Sequence, residues 1–170
     1  MNITIRLATP SDAPHMADVC IRSWEATYET ILSAEYIREK NATRLERFKQ
    51  NITNENDNAY VIQKDGKTIG IMKIAPTEDY DLGDSFYELH YIYLHPDYFR
   101  KGIGTHAINF AFDKARALGK KFISVWVFSK NKDSIKFYEK YGFKTDGKTQ
   151  THDRRGKQME CECIRMRKIL

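Results

Sequence analysis

The sequence predicts an α/β fold, a mixed central sheet with helices on both faces. One alternating strand–helix–strand–helix run lies between Tyr87 and Phe143, hairpin material flanks it on both sides, and amphipathic helices separate the first strand from that material. At 170 residues the chain makes one domain, residues 1–170, large enough to bury a real core. No internal repeat or linker divides it.

Ile3-Thr4-Ile5-Arg6-Leu7 alternates and opens the sheet. Thr9-Pro10-Ser11-Asp12 supplies capping chemistry, with Ser11 or Asp12 as N-cap. Met16, Val19, Cys20, Trp24 and Tyr28 then recur at helical spacing. A second helix is expected from about Ala34 to Ile52, with Tyr36, Ile37, Leu45 and Phe48 on it. Ala59–Gln63 and Thr68–Ile74 flank an Asp65-Gly66 turn, a hairpin signal. The loop from Thr77 to Ser85 carries Glu78, Asp79, Asp81 and Asp84.

The central run begins with the strand Tyr87–Leu94, rich in aromatic and β-branched residues, which Pro96 ends because it has no N–H for a ladder. Phe99-Arg100-Lys101-Gly102-Ile103-Gly104-Thr105 leads into a helix marked by Ala107, Ile108, Ala111, Phe112 and Ala115. Phe122–Val127 is a buried strand, Asn131–Tyr141 a short helix stopped by Gly142, and 143–150 with 159–168 a closing pair of strands. The order is β-α-α-β-β-β-α-β-α-β-β.

Strand, glycine turn and helix N-terminus make a phosphate cradle. Glycines let the backbone approach an anion, and first-turn N–H groups have no partner inside a helix. Arg100 and Lys101 add positive charge there. No Gly-Lys-Ser/Thr follows, so this is no P-loop, and a third glycine at dinucleotide spacing is missing. A bare Gly-x-Gly is equally an ordinary tight turn.

Composition excludes several classes. Hydrophobic residues make up 41% and charged residues 30%, with no apolar run near bilayer length and no signal-peptide core. A cytoplasmic protein without membrane contact is expected, and three cysteines without framework spacing suit a reducing compartment. Net charge is +5 with pI near 9.0, but no basic run with interleaved aromatics points to nucleic acid. Cys161-x-Cys163 lacks a second ligand pair, and His90 and His95 fall on opposite faces of a continuous strand, so no metal is expected. No Gly-x-Ser-x-Gly elbow occurs.

The element order and two motifs resemble the GNAT superfamily of acyl-CoA N-acyltransferases. Gly102-x-Gly104 matches the family's cofactor signature, although Phe99 stands at the usual Gln or Arg position and Arg100 follows it. The second motif is Asn131 followed by a helix ending Tyr138-Glu139-Lys140-Tyr141-Gly142-Phe143. The resemblance implies acetyl-CoA as co-substrate, a splayed parallel strand pair at 87–94 and 122–128, and a pantetheine arm against Ile92, Tyr93 and Leu94. It implies cofactor contacts at Arg100, Lys101, Gly102, Ile103, Gly104 and Thr105, mostly main-chain, with Asn131 bonding the arm and Lys130 and Lys132 near CoA phosphates. It also implies Tyr138 as general acid for the departing thiolate, acceptor-site walls around Trp24, Tyr28 and Tyr36, and a possible homodimer.

Acetyl transfer requires a neutral amine, although an alkyl ammonium has a pKa near ~10, so a base or desolvating site must take its proton. Glu88, with period-two alternation placing it on the face of Ile92, is the candidate base, and His90 is the fallback. The plain alternative for Glu88 is a solvated carboxylate or one relaying protons through water. The acidic loop at 78–84 either attracts a cationic acceptor or is simply solvated. A small-molecule amine is expected as acceptor, polyamine first, on the likeness of Glu88-Leu89-x-x-Ile92-Tyr93 to polyamine acetyltransferases. Rival readings are a protein lysine or N-terminal acetyltransferase and a CoA-binding sensor without turnover.

Overall fold

The computed structural model describes residues 2–52 and 58–170. Seven strands form one sheet: β1 (Ile3–Leu7), β2 (Ala59–Lys64), β3 (Lys67–Pro76), β4 (Phe86–Leu94), β5 (Phe122–Phe128), β6 (Lys144–His152) and β7 (Gln158–Ile169). Their order across the sheet is β1-β2-β3-β4-β5-β7-β6, and every pair is antiparallel except β4 with β5. The hairpin β2–β3 turns through Asp65 and Gly66, at φ 49° and 80°, the left-handed pair a two-residue turn requires.

The helices are α1 (Ala13–Tyr28), α2 (Ala34–Ala42), α3 (Arg44–Ile52), α4 (Ile103–Ala117) and α5 (Lys132–Lys140). One core lies between the sheet and α4, where Ile103, Ala107, Ile108 and Ala111 are almost wholly buried against Ile74, Leu89 and Ile123. The other lies under α1, α2 and α3, where Met16, Val19, Cys20, Ile37 and Phe48 cover Val61 and Ile71. Helices on both faces follow from this pair of apolar sheet faces.

Two local expectations change. The single helix expected from Ala34 to Ile52 is two, broken at Thr43, whose φ of −107° and ψ of 4° leave the helical region. Ile37, Phe48 and Ile52 keep helical spacing through the break, so the apolar period cannot reveal it. Asp12 does occupy the N-cap position of α1 but does not cap it. Its carboxylate turns back to accept from the Thr9 N–H at 2.7 Å and from both terminal nitrogens of Arg6 at 2.8 Å.

Candidate active site

The ladder between β4 and β5 runs only from Phe86↔Phe122 to Leu89↔Val125. Beyond that point β4 stays with β3 while β5 follows β7, and a cleft of about 1110 Å³ opens between them. Ile92, Tyr93 and Leu94 line it, so the main-chain edge of β4 facing β5 has no ladder partner there.

A bulge sits at the start of the splay. Tyr91 pairs with Lys73 and Leu89 with Ile74, leaving His90 as an extra residue on β4. Strict alternation fails across it. Leu89, Ile92 and Leu94 face the α4 core, whereas Tyr91 and Tyr93 face the α1 core. Glu88 therefore lies on the face opposite Ile92, not beside it as period two predicts.

At one end of the cleft the chain turns through Arg100 and Gly102 at φ 58° and 79° into α4. Among the described residues, the N–H groups of Lys101, Gly102, Ile103 and Gly104 donate to no main-chain carbonyl. A Cβ on Gly104 would lie 3.2 Å from the Phe137 ring, so glycine lets α4 approach α5 closely. Thr105 Oγ1 meets Tyr141 Oη at 2.6 Å and ties the two helices together. Of the expected contact residues here, Arg100, Gly102, Gly104 and Thr105 line the cleft. Ile103 is a core residue at 1% exposure, so it can offer only its main chain, and Lys101 is exposed outside the lining. Unpaired amides, a glycine approach and basic side chains fit a phosphate-bearing ligand.

Asn131 is the N-cap of α5, with Oδ1 accepting from Ser134 N–H at 3.1 Å and Nδ2 donating to Ser134 Oγ at 2.8 Å. Its side chain is thus committed locally, although the residue lines the cleft. Lys130 and Lys132 lie along the same wall. Tyr138 also lines the cleft, its ring edge-on to Phe137 and Phe143. Burial pushes its phenol well above the usual tyrosine range, so it stays a neutral O–H donor.

Glu88 is 1% exposed and is not part of the cleft lining. It forms an ion pair with Arg154 and accepts from Thr77 Oγ1 at 3.1 Å. Burial raises its pKa, and Arg154 opposes that rise. His90 stands between Glu88 and the cleft, with Nδ1 3.8 Å from Glu88 Oε1. Its Nε2 is buried without a hydrogen-bond partner among the described residues. Burial, then the charges of Arg154 and Lys73, hold the imidazole at a pKa of about 3, so the ring is neutral at physiological pH.

The acidic loop does not present its charge to the cleft. Arg165, 3% exposed, binds Asp79 at 3.1 Å, Asp81 at 2.7 and 2.8 Å, and Asp146 at 2.8 Å. Asp79 also accepts from Trp126 Nε1 at 3.0 Å, and Glu78 pairs with Arg154 at 2.8 Å. The loop is a strap tied to β5, β6 and β7, so the choice between acceptor lure and solvated loop gives way to an ion-paired structure.

The far end of the cleft is walled by α1, α2 and α3 with the 153–159 turn. Trp24 and Tyr28 pack edge-on at 4.9 Å and Tyr36 stands beside them. Arg44 lays its guanidinium over the Trp24 ring at 4.2 Å, and Arg47 sits one turn on. Sequence reasoning passed over Arg44, Arg47 and Arg165. The Arg44-x-x-Arg47 spacing on one helical face was the available signal.

The comparisons with known proteins agree with this geometry. The model of the acetyltransferase (GNAT) family matches residues 24–143. The chain belongs to the GNAT family. An uncharacterized N-acetyltransferase of Methanocaldococcus jannaschii is 32% identical over 101 residues, covering 56% of this chain and 43% of the relative, so the match spans less than half of that protein. Among solved structures, the PaiA N-acetyltransferase from Thermoplasma acidophilum, crystallised with coenzyme A, superposes with a TM-score of 0.74 at 26% identity, covering 100% of both chains. A GCN5-related N-acetyltransferase from Rhodopseudomonas palustris reaches 0.77 at 21% identity over 100% of this chain and 97% of its own, which speaks for the GNAT fold alone.

Proposed function

We propose that this GNAT protein transfers an acetyl group from acetyl-CoA to the amine of a small-molecule acceptor, by direct attack with both substrates bound. The observation that carries this reading is one continuous cleft that joins the unpaired amides before α4, the open edge of β4, Tyr138 and His90. The coenzyme A complex of the Thermoplasma acidophilum relative supports it.

Acetyl-CoA bound in the cleft would supply the acyl group as an activated thioester. The N–H groups of residues 101–104, with Arg100, would hold its phosphates. The unpaired main-chain edge at Ile92, Tyr93 and Leu94 offers N–H donors where negative charge develops on a carbonyl oxygen. Tyr138 supplies a proton to the departing sulfur, since its raised pKa keeps the hydroxyl loaded.

The proton of the attacking amine passes to His90 Nε2 while Nδ1, too far from Glu88 Oε1 at 3.8 Å for a direct bond, gives its own to Glu88 through one water. The ring begins and ends neutral, which suits a position where Arg154 disfavours an imidazolium. Burial makes Glu88 a better proton acceptor than an ordinary carboxylate. Glu88 thus acts as a base through His90. For the acceptor, the acidic loop adds nothing to the polyamine expectation, because Arg165 and Arg154 neutralise it.

The test is calorimetric binding of CoA followed by thiol release from acetyl-CoA with polyamines, aminoglycosides, amino acids and lysine peptides. Selective release with one small-molecule class is the expected result. Binding without release to any amine would overturn transfer, and release only with peptides would overturn the small-molecule acceptor.

A further inference from the structure

We infer that the acceptor is an amine that also carries an oxyanion, held by Arg44 and Arg47 at the far end of the cleft. This rests on the acetyl-transfer reading above and names the substrate class of the same site. Both arginines line the cleft. Arg44 is 9% exposed, its Nη2 is buried without a hydrogen-bond partner, and Nε reaches only Asn41 Oδ1 at 3.5 Å. Arg47 Nε is likewise buried and unpartnered. Among the described residues no carboxylate pairs with either guanidinium. A charge taken out of water without a partner is costly, and guanidinium donors left unmade in a cleft wall mark the place of a missing acceptor.

The neighbouring charges do not fill that role. Asp153 is held by Lys40 at 3.1 Å, and Arg154 is occupied by Glu88 and Glu78. Arg44 and Arg155 both press on Arg47, whose pKa is lowered by burial first and by those two charges next. The positive surplus is therefore real and local. It repels a polyamine, and it favours an amine arriving in its neutral, nucleophilic form. A planar guanidinium fork matches a carboxylate or phosphonate oxygen pair, and the Trp24 ring holds the Arg44 plane in place for it.

The experiment compares matched acceptors: an amino acid, its amide, the corresponding decarboxylated amine, and the aminophosphonate. The amino acid is expected to have a KM about 10- to 100-fold below that of its amide, and Arg47→Gln is expected to erase that gap by raising the amino acid's KM. A phosphonate preferred over the carboxylate identifies the oxyanion as the larger one. Arg44→Lys serves as the second variant: it keeps the positive charge but loses the planar fork and its stacking on Trp24, so the amino acid's advantage over its amide is expected to shrink. Binding is read apart from turnover by calorimetry of the amino acid and of inorganic phosphate on the CoA-saturated protein, wild-type against Arg47→Gln. Equal or better use of the amide or a polyamine would overturn the inference while leaving acetyl transfer intact. Failure of every amine to release thiol would overturn acetyl transfer, and Arg47-dependent anion binding in calorimetry would then still decide the anion site; its absence would overturn the site as well.

Discussion

Replacing Arg154 by Gln should make the protein's stability depend on pH in a specific direction. Burial holds the Glu88 pKa above the ordinary carboxylate value of about 4.3. A carboxylate whose folded pKa is raised binds its proton more tightly in the folded state, so stability falls as pH rises through that value. Arg154 offsets this cost. Removing one partner of a fully buried pair costs about 3–5 kcal/mol. Here Glu88 is buried but the Arg154 side chain is 35% exposed, so water screens part of the interaction and about 2 kcal/mol is a better figure. For a chain of this length that is about 4–8 °C in Tm. Urea unfolding of both proteins at pH 8 should show the full deficit, and the deficit should shrink as pH falls toward 4 and Glu88 takes up its proton. A deficit equal at both pH values would mean lost packing and not an unpaired carboxylate, and would refute the reasoning. The same substitution relieves His90 of the second-largest influence that lowers its pKa, so the acid limb of kcat should move to higher pH.

Tyr138→Phe should lower kcat by about 100- to 10,000-fold with CoA affinity unchanged, the range for a general acid; steady-state rates beside calorimetry check it, and equal rates would remove the acid role. Gly104→Val should weaken CoA binding at least tenfold with the circular dichroism spectrum retained, because even a Cβ would meet Phe137 at 3.2 Å. Arg165→Met should cost about 2–3 kcal/mol in urea unfolding, less than the full cost of a stranded buried charge because Arg167 still holds Asp146 at 2.8 Å, while Asp79 and Asp81 lose their guanidinium and the strap is released; a loss under 1 kcal/mol would show that the ion network is dispensable. Asp12→Ala should cost about 2 kcal/mol at pH 7: Arg6 holds the Asp12 pKa down at about 2, so the wild-type advantage is present above the ordinary carboxylate range and disappears as pH falls through about 2. Thermal melts at pH 7 and near pH 2 check that sign.

The elements carrying chemistry were legible because they rest on local signals. Gly102 marks a left-handed turn that glycine makes easily, Gly104 a close helix approach, and Asn131 through Phe143 shows a cap, an amphipathic turn and a stop within a few residues. The break at Thr43 was hidden, since the apolar period runs through it. The bulge at His90 was hidden for a different reason: an extra residue shows only when the partner strand is known, and β3 lies some distance back in the chain. Glu88 and Arg154 meet across 66 positions, and Arg165 gathers Asp79, Asp81 and Asp146 from two separate segments. Such pairings are properties of topology, and no window along the chain contains them.

The splay after Leu89 gives the sheet an edge in its interior. An unpaired strand edge ordinarily lies at the border of a sheet, where it can recruit a foreign strand and seed aggregation. Here the exposed stretch of β4 is enclosed by α1 on one side, α5 on the other and β5 across the gap. The fold thus keeps a row of main-chain hydrogen-bonding groups inside the cleft and away from the border of the sheet.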